Sequence, residues 1–319
     1  MINPIRNSIL KVVAYFDLFS YPVTIQEINR YSDTCTNSAE LEAELGELCL
    51  QGCIYKLGEF YCLHDNPELV RNRIFANERA EILLTKARRI SKFLYRFPFV
   101  RAVCISGSLS KHVADEKADI DYFIITAENK LWLARTFMHF WKKLSFITGH
   151  QHFFCMNYYI DEYAMVIEEK NIFTATELVT LMPICGYGAL NDFFSRNDWA
   201  LKYFPNHPSV LSKPKEKDNF WIKKAIEALF KNRFGDKLDN YFMNVTATRW
   251  KEKEEHQKLS YRGKRMGLRT GKHFSKPNPV FFQKKILQAF ENRYSEWKSR
   301  WEKLQKDSIQ SRFLREMIK

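Results

Sequence analysis

The sequence predicts an α+β protein in three parts. We expect three helices and a β-hairpin first, then a central α/β domain with a mixed sheet, then a basic helical C-terminal region. Three observations lead to this class: helix-capping patterns recur near the start, two apolar strand-like runs flank a glycine turn near position 107, and basic residues accumulate in the last third. The predicted domain boundaries are 1–64, 65–205 and 206–319.

Composition excludes several classes of protein. With 45% hydrophobic and 15% aromatic residues among 319, the chain has too much apolar surface to be largely disordered. No apolar run approaches the length of a transmembrane helix, and the start lacks the pattern of a signal peptide, so we expect a cytoplasmic protein. The seven cysteines form no Cys-x-x-Cys pair, which favours buried thiols over a zinc site or disulfides.

The first 64 residues carry the signals of a winged helix. Apolar residues at helical spacing fill 8–19, Thr24 and Asn37 each begin a predicted helix with a glutamate three residues later, and two short strands are expected around Gly58. Winged helices bind DNA or serve internal packing and protein contact. The third helix holds four glutamates and no lysine or arginine, which favours packing, since a helix among phosphates should be basic.

Beyond this segment, helices and strands alternate. Asn66 is expected to cap a long helix that runs to about Phe97, residues 129–147 form an amphipathic helix, and Gln151 opens a strand. A capping-box pattern at 174–177 predicts a helix that continues to Cys185. Further helices are expected over 220–234, 237–259 and 280–319. We expect the aromatic residues of the amphipathic helix to be core: Trp132, Phe137, Phe140 and Trp141.

The centre of the chain carries the strongest chemical signal. An apolar run ends at Gly107 and Ser108, ten residues intervene, and a second apolar run opens with Asp119 and Asp121. On a strand these two carboxylates share a face, about 6.6 Å apart. Paired carboxylates favour a divalent cation such as Mg²⁺ or Mn²⁺, held together with substrate phosphates. The alternative is a surface Asp-x-Asp that only caps a turn.

This arrangement resembles the signature of the polymerase-β-like nucleotidyltransferases. It is most similar to the minimal members, and to a bacterial subgroup with an N-terminal winged helix, over about residues 8–205. The resemblance implies that Gly107 and Ser108, with Lys111 nearby, bind the phosphates of a nucleoside triphosphate, most readily ATP. It also implies that Asp119 and Asp121 hold Mg²⁺ or Mn²⁺ and act in catalysis.

The sequence departs from the family pattern at one position. The resemblance implies a third carboxylate on a later strand, where this chain offers Asn157, which we take as its equivalent in the catalytic set. An amide can hydrogen-bond or weakly ligate a metal, but it cannot accept a proton as a general base. Asp161 lies about 13 Å further along the strand, too far to replace Asn157.

The basic excess belongs to the C-terminal region. Residues 213–319 hold 28 lysines and arginines against 13 aspartates and glutamates. Within it, residues 261–279 hold three glycines and seven basic side chains, His273 included, and no acid. We expect a loop that meets a phosphorylated or anionic acceptor, or one that is only solvated. Nucleic acid is a less favoured partner.

Three functions therefore remain open from the sequence. The first is an enzyme that moves a nucleoside monophosphate from an NTP to an acceptor and releases pyrophosphate. The second is a weakly active or inactive nucleotide-binding module. The third is a nucleic-acid-binding regulator that acts through its winged helix and basic tail. The sequence does not identify the acceptor.

Overall fold

The computed structural model describes residues 3–116, 118–145, 153–208, 220–256, 266–279 and 282–317. The chain divides into two compact units built from non-consecutive stretches. The first unit comprises residues 1–75, 199–209 and 283–319, and the second comprises residues 76–198 and 210–282. Residues 206–319, predicted from the sequence as one region, are thus divided between both units.

The first unit contains three short N-terminal helices and a three-stranded antiparallel sheet. In chain order its elements are α1 (Pro4–Asp17), β1 (Val23–Thr24), α2 (Ile25–Tyr31), α3 (Ser38–Leu50), β2 (Tyr55–Leu57) and β3 (Phe60–Cys62), with strand order β1-β3-β2. The capping box predicted at Thr24 is confirmed, because its side chain accepts from the N–H of Glu27 and the Glu27 carboxylate accepts from the N–H of Thr24. Asn37 caps α3 in the predicted way, and the strand pair around Gly58 is present.

The C-terminal helix packs within this first unit. Helix α10 (Phe282–Met317) places Phe290 in an edge-on contact with Tyr15 of α1, at 5.7 Å between ring centroids. One turn further, Arg293 pairs with the buried Asp17. Trp297 is buried and lies edge-on to the His64 ring, at 6.0 Å. The N-terminal helices therefore use part of their surface for internal packing.

The second unit is built on a six-stranded mixed sheet, which confirms the predicted α+β class. Its strands in chain order are β4 (Val100–Ser106), β5 (Asp121–Thr126), β6 (Cys155–Asp161), β7 (Met182–Cys185), β8 (Met266–Gly271) and β9 (Phe274–Pro279). They are arranged β7-β4-β5-β6-β9-β8, and only β5 and β6 run parallel. The central strands are almost wholly apolar and buried, as expected for strands covered on both faces.

Helices cover this sheet. They are the part of α4 (Pro67–Leu94) from residue 76 onward, α5 (Leu131–Ser145), α6 (Ile172–Val179), α7 (Tyr187–Arg196), α8 (Trp221–Phe230) and α9 (Arg233–Glu255). Trp132 of α5 is fully buried, as predicted, whereas Phe140 and Trp141 are exposed, so their assignment to the core was wrong. Within the described ranges, no helix combines the length and apolar character needed to cross a membrane.

Two predicted elements take a different form. Residues 266–279 were expected to be a loop, but they form the β8–β9 hairpin, which extends the sheet at the edge of β6 through the pairs Tyr159–Ser275 and Ile160–Phe274. The helix predicted to reach Cys185 begins after Asn171 and ends at Val179, and Met182–Cys185 is strand β7, paired with β4. In both places the free edge of a neighbouring strand provides backbone hydrogen bonds that local sequence patterns do not reveal.

A buried carboxylate joins α9 to the start of α5. The Asp239 side chain accepts the backbone N–H of Leu133 at 2.8 Å, close to the positive end of the α5 dipole. Burial raises the pKa of the Asp239 carboxyl to about 6, against the lowering effect of the hydrogen bonds from Leu133 and Trp132. The Asp239 carboxyl therefore titrates near pH 6, where the stability of the protein can be measured on both sides of its pKa.

Asp239→Asn is expected to remove a pH dependence of stability. A carboxyl whose pKa is raised on folding stabilises the folded state while it is protonated, and this contribution is lost as the pH rises through the folded pKa. Relative to the variant, the wild type should lose on the order of 1–2 kcal/mol of unfolding free energy between about pH 5 and about pH 8. Denaturant unfolding of both proteins at the two pH values measures this. If the difference in unfolding free energy between wild type and variant is the same at both pH values, the pH dependence does not come from Asp239.

Candidate active site

The glycine turn after β4 is closed by its own hydrogen bonds. Gly107 has a left-handed backbone with φ of +70°, and Ser108 begins a short 3₁₀ helix (Leu109–Lys111). The Gly107 carbonyl accepts the hydroxyl of Ser110 at 2.8 Å, and the Ser108 carbonyl accepts two backbone N–H groups. Ser108 is exposed, and its side chain makes no capping hydrogen bond to the 3₁₀ helix.

Asp121 lies directly against this turn. It is the first residue of β5 and pairs with Ser106, the last residue of β4. A Cβ atom on Gly107 would stand 2.6 Å from Oδ2 of Asp121, so a larger residue there would force the carboxylate to shift. Asp119 was expected on the same strand, but it precedes β5 by two residues. Both aspartates are half-buried.

Asn157 reaches Asp121 from the neighbouring strand. The parallel pairing of β5 with β6 shifts after Tyr122, which pairs with Met156, while Phe123 pairs with Tyr158. Asn157 is the extra residue of this irregularity, a feature that can redirect a side chain. Its Nδ2 donates a hydrogen bond to Oδ1 of Asp121 at 2.5 Å. The structure thus brings together the two residues predicted to share the site.

Cys155 is a member of this cluster that the sequence analysis missed. Its thiol donates to Oδ1 of Asn157 at 3.3 Å and lies 4.0 Å from Oδ2 of Asp119. Burial, with a smaller contribution from the charges of Asp121 and Asp119, raises the pKa of the thiol to about 12 despite the opposing effect of Lys142. At neutral pH Cys155 is therefore a neutral donor. The feature of the sequence that could have indicated Cys155 as a member of the cluster is its position two residues before Asn157.

Lys111 is engaged by groups of the protein. Its ammonium pairs with the Glu177 carboxylate of α6 at 2.8 Å and donates to the Gly107 carbonyl at 3.1 Å. In this arrangement Lys111 ties the glycine turn to α6. Its predicted contact with phosphate stays a prediction, and such a contact would require Lys111 to exchange at least one of these partners.

Asp161 serves a different part of the fold. This fully buried carboxylate accepts the backbone N–H groups of Asn129, Tyr163 and Ala164 at 3.0–3.3 Å and contacts Nδ1 of His273 at 2.8 Å. It pairs in register with Thr126, at the opposite end of β5 from Asp121. Its oxygens are therefore committed to the turn after β6, to the segment between β5 and α5, and to His273 in the β8–β9 turn.

The chemistry of the cluster suits a hard divalent cation. In the described part of the chain, no three His, Cys, Asp or Glu side chains are placed so that they could hold a metal ion. The Asp119 and Asp121 carboxylates would have to be completed by phosphate oxygens and water, which is how Mg²⁺ is usually bound in phosphate-transfer sites. Asn157 presents its Nδ2 to Asp121 and its Oδ1 to the Cys155 thiol, so its amide would have to turn before the oxygen could join such a site.

The basic stretch 261–279 is only partly described. Arg262, Lys264 and Arg265 lie outside the described residues. Arg269 and Lys276 of the hairpin both pair with Glu169, the latter at 3.0 Å, and Lys272 is exposed at the hairpin turn. Burial raises the pKa of Glu169, but hydrogen bonds and charges from Lys276 and Arg269 outweigh this and leave it below its ordinary value. Part of the positive charge is thus already neutralised.

No protein-family model matches the chain, and neither a curated protein nor a solved structure matches it. The class of protein therefore stays a prediction that depends on the residues of the cluster.

Proposed function

We propose that the protein is a metal-dependent nucleotidyltransferase that moves a nucleoside monophosphate from an NTP, with ATP as the favoured donor, to an acceptor. One observation carries this proposal: the Asp119–Asp121 pair, Asn157 and the Gly107 turn meet at one end of β4, β5 and β6. Paired carboxylates beside a glycine turn can hold a cation and a triphosphate next to each other.

Each residue has a role in this reaction. Asp119 and Asp121 would hold Mg²⁺ or Mn²⁺, which supplies charge stabilisation for the attacking and leaving oxygens. The exposed hydroxyl of Ser108 and nearby backbone N–H groups orient the departing pyrophosphate. Asn157 holds the Asp121 carboxylate in place through its amide hydrogen. Because the Asn157 amide accepts no proton, the base that deprotonates the attacking group must be part of the acceptor or another residue of the protein.

Pyrophosphate release tests the proposal most directly. The protein is incubated with each NTP and Mg²⁺ or Mn²⁺, and mass spectrometry detects pyrophosphate and any modified protein or small molecule. Wild type should release pyrophosphate only with a divalent cation, and the Asp119→Asn, Asp121→Asn double variant should not. Equal release by the two proteins would exclude this site as the source.

Asn157→Asp is expected to raise the rate of pyrophosphate release with Mn²⁺. The new carboxylate would add a charged ligand beside Asp121 and restore a proton acceptor, with an increase on the order of tenfold or more. Asn157→Ala serves as the matched control, because it removes the hydrogen bond to Asp121 without adding charge and should lower the rate. Unchanged rates in both variants would show that Asn157 lies outside the site.

A nucleotide-binding module with little or no turnover is the second candidate. Asn157 in place of a carboxylate is the observation that favours it. Metal-dependent NTP binding without pyrophosphate release from any acceptor mixture would identify this case.

The first unit and the basic residues of 261–279 indicate which partners the protein could bind. We interpret the first unit as a winged helix used for packing, because α10 occupies part of it and α3 presents the exposed Glu40, Glu42 and Glu47. Such a helix would repel nucleic acid. The basic residues of 261–279 are the favoured place for a phosphorylated or anionic acceptor, and we place the reaction in the cytoplasm.

A further inference from the structure

Helix α8 turns its apolar side outward. Trp221, Ile222 and Leu229 are 75%, 56% and 65% exposed, while Lys223 on the same helix is only 3% exposed. At 3.6 residues per turn, positions 221, 222, 225 and 229 fall on one side of the helix. A surface helix of a globular protein normally buries its apolar side, so this orientation is reversed.

Polar bonds on the inner side fix this orientation. The Lys223 ammonium donates to the Tyr95 carbonyl at 3.0 Å and lies over the Tyr95 ring at 4.3 Å. Glu227, one turn later, accepts two hydrogen bonds from the Arg101 guanidinium at 2.9 and 3.1 Å and one from the N–H of Phe99 at 2.6 Å. Rotating α8 to bury Trp221 would break all of these bonds.

The apolar surface continues onto two neighbouring helices. Phe230, at the end of α8, contacts Phe137 of α5 and stacks on the exposed Phe234 of α9, both at 6.3 Å between ring centroids. Phe140 and Trp141, one turn beyond Phe137 on α5, are also exposed, and Trp141 lies against Phe93 of α4 at 5.1 Å between ring centroids. We call Trp221, Ile222, Leu229 and Phe234 the aromatic face.

Exposed charges beside the aromatic face are predominantly basic. Lys224, Lys231, Arg233 and Lys237 are exposed on α8, α9 and the segment between them. The acidic neighbours are engaged in ion pairs, since Glu227 pairs with Arg101 and Asp236 with Lys130. The aromatic face therefore has a positive border. None of these residues belongs to the candidate nucleotide site.

We propose that the aromatic face docks in the plane of an anionic lipid surface, with α8 as the main contact. Tryptophan and phenylalanine enter the boundary between headgroups and acyl chains, and lysines and arginines beside them meet lipid phosphates. A symmetric contact between two copies of α8 would bring the same positive borders together, which disfavours self-association.

Vesicle flotation of the full chain tests this docking. Wild type should float with vesicles of phosphatidylcholine and phosphatidylglycerol, bind phosphatidylcholine vesicles weakly, and lose the anionic preference at high salt. The variant Trp221→Ser, Ile222→Ser, Leu229→Ser should bind at least about tenfold more weakly, because three exposed apolar groups no longer enter the bilayer. Lys224→Gln, Lys231→Gln and Arg233→Gln together should weaken binding roughly fivefold for each removed charge.

The matched control replaces equally exposed apolar residues elsewhere. Leu50→Ser with Ile82→Ser removes two such side chains from α3 and α4 and should leave flotation unchanged. Equal flotation of wild type and the α8 serine variant would overturn the proposal, as would equal binding to neutral and anionic vesicles. Sedimentation in lipid-free buffer tests whether a second copy of the chain covers the face instead. If wild type is a dimer, the serine variant is a monomer and neither binds vesicles, the face is a self-association surface and the proposal is overturned.

Discussion

Replacing Asp121 with asparagine is expected to remove most of the metal-dependent binding of an NTP. A unit charge at about 4 Å contributes on the order of 4 kcal/mol even at an effective dielectric constant near 20, and a divalent cation doubles this. Reorganisation and solvent offset part of that attraction, so we expect the affinity for MgATP to fall at least about 100-fold. The variant keeps the size of the side chain, so a change in affinity reports the lost charge and not a change in volume.

Calorimetric titration with MgATP, and with ATP in the presence of a chelator, measures the effect. Asp115→Asn is the matched control, since it removes the same charge from an exposed position earlier in the same loop. Wild type and Asp115→Asn should bind MgATP alike, and both should lose binding when the metal is removed. Equal affinity for MgATP in wild type and Asp121→Asn would refute the site.

Gly107→Ala is expected to damage both the turn and the site. Its left-handed φ of +70° disfavours any residue with a Cβ, which costs on the order of 1 kcal/mol. The new Cβ would also stand 2.6 Å from Oδ2 of Asp121, so the carboxylate must move. We expect a lower melting temperature together with a loss of MgATP affinity of about tenfold or more.

Gly58→Ala separates the two effects. Gly58 has a similar φ of +64°, but a Cβ there would meet no atom within 4 Å. Its alanine variant should lose stability through backbone strain alone and should keep full MgATP affinity. If both variants lose affinity equally, or neither does, the close packing of Gly107 on Asp121 has no bearing on nucleotide binding.

Local patterns in the sequence determined much of the first unit and the centre of the second. The Thr24–Glu27 capping box, the Asn37 cap and the hairpin at Gly58 depend on contacts within a few residues, so sequence spacing is enough to predict them. The proximity of Asn157 to Asp121 was anticipated only through family resemblance. The irregular pairing that makes this contact, and the presence of Cys155, depend on β5 and β6 lying side by side.

By itself, the sequence determined where the helices capped by Thr24 and Asn37 begin, where the glycine turn falls and which carboxylates follow it. Tertiary structure alone decided that 182–185 is a strand, that 266–279 is a hairpin and that α10 belongs with the N-terminal helices. It also decided the reversed orientation of α8, which the bonds of Lys223 and Glu227 impose. The reason is common to these cases: each depends on a strand edge or a polar partner distant in sequence, whose hydrogen bonds outweigh the local preference of the segment.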